Sequence, residues 1–525
     1  MNKLMALTLF SLLATVSAWA AAPDNDASCD IKVGPAATLL LPYFEVDVGF
    51  NPQPTDQTTL FTITNVSRYS QIAHVTLWTD WAFPVLNFNI FLAGYDVQSI
   101  NLKDILVRGV VASPVGTGPT TVKSPLGTLT SPANGGPGYA NPNFNAVIEC
   151  DALPGILSQT LVAAVRSALT TGVYNPGGSA ACPNAVGGVH ANAIGYATID
   201  VVGSCTSRLP SDPLYYTTDL LFDNVLIGDY QQIGPKPAGR SNESFDAAGN
   251  PMVHIRAIPE GGAAGSNVAT ELPYTFYDRY TPDTNRILDR RQPLPSTFAA
   301  RYIQGGFADF NTNYTIWREG FGKGACGASL VLNAQMPVAE IVRFDETDNP
   351  SVGPPCNAEP CPLPTLPTLA VTSSTRTSSG LYPTMSIDGV GGWMYLNLNN
   401  GGSTGYSVTT RSVFGDVPTV ITGAGSRSAL APSGSATIGP RPSQNWVTIT
   451  MFGTLGTKRM VAEFDAASLG NGCSPAAVST ATFLFPTGNY GPGTIGPAVF
   501  VCPPGATLSN GTTNLCTGTN INPKP

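Results

Sequence analysis

The run Ile72-Ala73-His74-Val75-Thr76-Leu77-Trp78-Thr79 decides the fold class. Ala73, Val75 and Leu77 alternate with His74, Thr76 and Trp78, a period of two that sends successive side chains to opposite faces of a strand. Around it lie four more short runs rich in Val, Ile, Thr and aromatic residues, at 37–46, 58–66, 86–93 and 96–102, divided by Pro, Asn, Gly and Ser. In the run 86–93, Phe88, Ile90 and Leu92 alternate with Asn87 and Asn89. The pattern predicts antiparallel strands with one buried face and one polar or half-covered face. Pro42 has no amide hydrogen to give a ladder, so the first run belongs at a sheet edge or a bulge.

The succession Thr62-Ile63-Thr64-Asn65-Val66-Ser67, Ala73-His74-Val75-Thr76-Leu77-Trp78 and Asp96-Val97-Gln98-Ser99-Ile100-Asn101-Leu102 resembles bacterial Ig-like sandwich domains over residues 37–105. It is also similar to secreted bacterial β-rich proteins of unassigned role. The resemblance implies a fold and brings no catalytic residues with it.

Further along, residues 112–145 are a Gly, Pro, Ser and Thr mixture that reads as a long loop. Residues 154–171 predict a helix: Leu157, Leu161, Val165 and Leu169 recur every four residues, and Ile156, Val162 and Ala168 widen the stripe. Pro154 suits its start and Gly172 its stop. Strands are expected again at 196–202 and 220–227. Between 271 and 320, Tyr277, Arg279, Tyr280, Arg290, Arg291, Trp317 and Arg318 form the most ligand-like composition in the chain. Two readings apply: arginines paired with acids and stacked on rings in an interface, or a contact surface for a carbohydrate or other polymer. Residues 350–378 are Pro-rich and contain Cys356 and Cys361, as a stiff linker would. Beyond it, strands are expected at 393–398, 446–452, 459–464 and 481–485, the second and third joined by a hairpin turn.

Lys3, the apolar stretch 4–16 and Ala18-Trp19-Ala20 read as a signal peptide over residues 1–20, cleaved after Ala20. The expected location is therefore extracellular, periplasmic or at the cell surface. No later run reaches the roughly 18 consecutive apolar residues of a membrane helix, so no transmembrane segment is expected. Charged residues make up 11% of the chain against roughly 25% in ordinary soluble domains, which predicts a polar but nearly neutral surface. The net charge of −8 argues against nucleic acid as a partner, because phosphate binding needs a basic footprint.

Cys29, Cys150, Cys182, Cys205, Cys326, Cys356, Cys361, Cys473, Cys502 and Cys516 are ten in number, and an even count in an exported chain predicts disulfides. Cys150 and Cys182 bracket the predicted helix. No zinc pattern appears among His74, His190 and His254 or the cysteines. Glu340, Asp345 and Asp348 are candidate calcium ligands in an acidic cluster that lacks the order of a calcium loop; no other cofactor is expected. Gly401-Gly402-Ser403-Thr404-Gly405 matches the hydrolase G-x-S-x-G pattern, but every histidine precedes it, so it reads as a turn. His74 reads as a structural hydrogen-bonding residue.

The sequence therefore predicts a mainly β protein: two or more antiparallel Ig-like β-sandwich domains with long loops and one short helix. Its divisions are 21–238 (with the loop and helix inserted), 239–349 (a middle β section), the linker 350–378, and 379–525. The expected role is a secreted, noncatalytic structural or adhesive protein that binds glycans, cell-surface polymers or itself. A carboxylate-dependent polysaccharide hydrolase and a filament or surface-layer subunit are the alternatives.

Overall fold

The structure is a computed structural model that describes residues 34–49, 57–111, 157–177, 181–203, 205–210, 212, 214–215, 219–234, 247–257, 291–292, 294–295, 297–318, 336–337, 340–346, 350–351, 370–371, 374–377, 390–398, 444–456 and 458–468. The signal peptide, the loop 112–145, the G-x-S-x-G match, the strand at 481–485 and most of the Pro-rich linker lie outside these residues.

The chain is mainly β, in several antiparallel sheets. The first half contributes β1 (Thr38–Val46), β2 (Thr58–Asn65), β3 (Gln71–Thr79), β4 (Pro84–Leu92), β5 (Val97–Asn101), β6 (Ala193–Val202), β7 (Leu226–Ile233), β8 (Ala247–Pro251) and β9 (Val253–Ile255). They build a central sheet in the order β4-β3-β6-β1-β9 and a second sheet in the order β5-β2-β7-β8. The two pack face to face: at Gly228 in β7 a Cβ would stand 2.8 Å from Leu39 Cδ1 of β1, so only glycine permits that approach.

The bulge expected at Pro42 is present. The β1–β6 register shifts between Leu41 and Phe44, and the missing amide falls within that irregularity. β1 is nonetheless an interior strand, between β6 and β9.

Both faces of β3 are buried, contrary to the polar or half-covered second face the sequence suggests. The alternation itself holds. Ala73, Val75 and Leu77 share one face with Ile199, Ala197, Ile90 and Phe88. His74, Thr76 and Trp78 share the other, and that face is covered too. Tyr215 packs on His74 with ring centroids 5.7 Å apart, and Trp317 meets Tyr196, itself stacked on Trp78.

The helix α1 (Gln159–Thr171) starts later than expected, because Ser158 caps it by accepting a bond from the Leu161 amide at 3.2 Å; Pro154 is outside the described residues. Gly172 ends it in the left-handed conformation, φ 71.

The strand expected at 220–227 is displaced to β7, Leu226–Ile233. Leu220, Leu221 and Phe222 are buried as a crossover, making only an isolated bridge from Leu220 to Val202. Burial without a ladder partner gives the same apolar signal as a strand.

The later strands are β10 (Thr297–Gln304), β11 (Asn311–Arg318), β12 (Met336–Pro337), β13 (Glu340–Asp345), β14 (Pro350–Ser351), β15 (Ala370–Val371), β16 (Ser374–Thr377), β17 (Val390–Asn397), β18 (Asn445–Leu455), β19 (Lys458–Asp465) and β20 (Ala467–Ser468). They form sheets in the orders β14-β13-β17-β10-β20 and β16-β11-β18-β19, with β12 and β15 as a separate pair. β10 and β13, which precede residues 350–378, both pair with β17, which follows them, and β11 pairs with β18. The expected hairpin joins β18 to β19, with Leu455 opposite Lys458 and Gly456 at φ 62.

One apolar core runs through both halves, from Leu39 and Val75 to Phe298, Ile316 and Ile449. No helix among the described residues is long and apolar enough to cross a membrane.

Candidate binding face

Where solvent meets organised polar side chains, the floor is the outer face of the second sheet. Antiparallel register sets its rows. Ser99, Thr62 and Asp229 lie side by side across β5, β2 and β7, and Asn101, Leu60 and Gln231 form the next row. The same alternation buries Ile100, Phe61 and Tyr230 on the inner face. After β5 the chain turns through a short π-helical segment, Asp104–Arg108, which ends at Gly109 (φ 72). Asp104 and Val110 thereby stand beside the rows and close a trough of about 390 Å³. That is the size of a small-ligand site, although its lining is more polar than most.

The trough is chemically simple. Thr62 Oγ1 and Ser99 Oγ are 3.5 Å apart, and Asn101 Oδ1 accepts from the Thr58 hydroxyl at 2.7 Å. Asp104 is held by Arg108 at 2.9 Å. Asp229 is exposed and its carboxylate has no hydrogen bond or ion pair among the described residues. Hydroxyls, amides and one unengaged carboxylate present donors and acceptors with little charge, and no aromatic ring lines them.

The clusters that look most like chemistry are sealed. Thr38, Asp200, His74 and Asn89 form one row across β1, β6, β3 and β4, each fully buried. Asp200 accepts from the Thr38 hydroxyl at 2.5 Å and from Tyr215 at 2.5 Å. Arg291 lies 3.6 Å from Asp200 and donates to Thr38. His74 Nδ1 meets Asn89 Oδ1 at 2.9 Å; since Asn89 Nδ2 donates to the Thr206 carbonyl, His74 Nδ1 is the donor. Burial holds the His74 imidazole below its usual pKa, against the Asn89 bond and the charges of Asp200 and Asp219. Nearer the surface, Asp80 pairs with His190 at 3.0 Å rather than with His74, and it accepts the Gly188 amide at 2.9 Å. Where the second sheet meets β19, Asp465 accepts from Asn250 at 2.8 Å and Trp446 at 2.9 Å, and Tyr230 donates to Glu463 at 2.9 Å. Burial raises the Asp465 carboxyl and, with the charges of Glu463 and Asp465, lifts the Tyr230 hydroxyl well above the usual phenol value.

Of the seven residues proposed for ligand contact, Tyr277, Arg279, Tyr280 and Arg290 lie outside the described residues. The other three are interior: Arg291 and Arg318 are 0% exposed and Trp317 3%. Arg318 donates to Asn445 Oδ1 at 3.1 Å and the Leu398 carbonyl at 2.6 Å. For these three, pairing and packing is the arrangement present, Arg291 lying 3.6 Å from Asp200. Glu340 and Asp345 sit on β13 and Asp348 is outside; among the described residues no group of three or more His, Cys, Asp or Glu is placed to hold a metal ion. Of the ten cysteines, Cys182 and Cys205 are among the described residues and the other eight lie outside them.

Sequence reasoning passed over Asp104, Asp229 and Gln231. The signal is the alternation of Ile227, Asp229 and Gln231 with Gly228, Tyr230 and Gln232, which the strand expected at 220–227 stops short of. No family model, no curated protein and no solved structure matches this chain.

Proposed function

We propose that this is an exported, noncatalytic binding protein built on Ig-like sandwiches, with the trough on its second sheet as a glycan-contact face. The observation that carries the reading is the contrast in access. Asp229 and Gln231 reach solvent on a rigid sheet face, whereas Asp200, His74, Arg291 and Arg318 are all closed off. A sugar offers closely spaced hydroxyls that act as donor and acceptor at once, and a free carboxylate beside Ser, Thr, Asn and Gln side chains complements them. Export is supported by the leader-like residues 1–20 and by the even count of ten cysteines.

A glycan array probed with mature protein tests the reading, followed by calorimetry on each hit with Asp229→Ala. The variant is expected to lose about 10-fold to 100-fold in affinity, the worth of hydrogen bonds to a charged group. An array on which no glycan is retained would overturn the proposal. Because Asp104 and Asp229 share the trough, the hydrolase reading has one specific observation behind it. Release of reducing ends from any bound glycan, lost in Asp229→Asn, would favour it.

A further inference from the structure

We infer that the ligand is an extended, uncharged oligosaccharide lying along β2 and β5, and that Tyr95 is its specificity-determining contact at the far end; this rests on reading the trough as a glycan site. The rows do not stop at Ser99, Thr62 and Asp229. The next one is Val97, Thr64 and Ile227, with Val97 55% exposed, so the face passes from hydrogen-bonding to apolar along the strands. From Asn101 to Val97 it extends about 13 Å at the rise of a β-strand, more than one sugar ring covers. Sugars have both kinds of surface, hydroxyl edges and apolar ring faces, and a face that changes character along its length suits a chain of them.

Tyr95 stands two residues before Val97, at the turn from which β5 leaves. It is 70% exposed and sits at φ 59, the left-handed region that a bulky side chain enters only against steric resistance. Nothing in the fold rewards that choice: the ring gains little burial, and the turn's bond, from the Tyr95 amide to the Ser67 carbonyl at 2.9 Å, needs no side chain. Asn or Gly would hold the same turn with less strain. An aromatic ring kept where the backbone disfavours it and solvent surrounds it is what a stacking contact requires. Charge selects among polymers. Asp229 and Asp104 are the ionisable groups of the trough, and Arg108 is already engaged by Asp104, so an anionic chain meets repulsion.

The test is calorimetry on wild type, Tyr95→Asn, Tyr95→Trp and Asp229→Ala with maltohexaose, cellohexaose and xylohexaose, the matching disaccharides, and oligogalacturonate as the acidic control. Wild type should bind a neutral hexasaccharide more tightly than its disaccharide and leave the acidic chain unbound. Tyr95→Asn should lose about 3-fold to 10-fold on the hexasaccharide, little on the disaccharide, and melt at a higher temperature, while Tyr95→Trp retains affinity. Asp229→Ala should weaken both. If wild type binds a neutral sugar but Tyr95→Asn binds it as well, or the acidic chain binds equally, this inference fails and the trough reading survives. If wild type binds none of them and no array glycan, both fall.

Discussion

Two sets of polar rows cross two sheets of this protein, and they differ in what lies above them. On the central sheet, Thr38, Asp200, His74 and Asn89 are roofed by Tyr215, Arg291 and the segment around Thr206. On the second sheet, Ser99, Thr62 and Asp229 are open. Both arise from the same period of two. A roof turns polar side chains into a bonded framework whose members fix one another, and its absence leaves them to bind something else. The contrast can be broken most severely at its charged members. Asp200→Ala would remove the buried carboxylate that Thr38, Tyr215 and Arg291 surround and should cost about 3–5 kcal/mol, read as a lowered urea midpoint. Asp229→Ala on the open row should stay within about 0.5 kcal/mol of wild type. A double variant, Asp200→Leu with Arg291→Met, should recover part of the loss, because removing both charges avoids stranding either. Equal sensitivity at Asp200 and Asp229 would erase the distinction between the rows.

Acid sharpens the same comparison with a smaller effect. Burial lowers the pKa of His74 and of His254 from 6.5, so below 6.5 the unfolded chain takes up protons that the fold refuses. Stability is therefore full above 6.5 and declines as pH falls toward each lowered folded value, by up to about 1.4 kcal/mol per pH unit for each histidine. Asp465 runs the other way. Its folded pKa is raised above 3.8, so the fold holds that proton more tightly than the unfolded chain, and between 3.8 and the raised value its contribution grows as pH falls. Urea midpoints measured from neutral pH down to about pH 5 should drop for wild type and drop less for His74→Gln. A variant slope equal to the wild-type slope would mean that His74 takes up its proton in the folded state.

How much of this was legible before the fold was seen varies with the kind of information needed. Local period sufficed for β1 to β6, for α1 and its Gly172 stop, and for the hairpin between β18 and β19. It assigned His74, Thr76 and Trp78 to one face and Ala73, Val75 and Leu77 to the other. It had no access to what covers a face, because Tyr215 lies 141 positions after His74 and Trp317 lies 239 positions after Trp78, and their own surroundings give no hint of destination. For the same reason the sequence leaves two readings open for Arg291 and Arg318: a basic and aromatic composition is common to ligand sites and to buried pairs, and only the partner, Asp200 or the Leu398 carbonyl, tells them apart. The open trough is not legible in the sequence, because the strand expected at 220–227 stops short of Asp229 and Gln231, which lie on β7.

The smallest expected effect lies inside the closed face and asks how complete the bonded framework is. Thr76 is fully buried between Thr198 of β6 and Asn87 of β4, yet its hydroxyl has no hydrogen-bond partner among the described residues. Trp78 nearby does better, donating its indole N–H to Thr198 Oγ1 at 2.9 Å. A buried hydroxyl without a partner gives up its water bonds for nothing, so replacing it with a methyl of the same shape removes a cost rather than a contact. Valine keeps the β-branch and nearly the same volume. Thr76→Val should therefore be neutral or up to about 1 kcal/mol more stable by urea midpoint, the opposite sign to Asp200→Ala one row away. A loss of more than about 1 kcal/mol would mean that the Thr76 hydroxyl is engaged after all, as a buried hydrogen bond of that worth requires, and the covered face would then be a fully connected network rather than a framework anchored on Asp200.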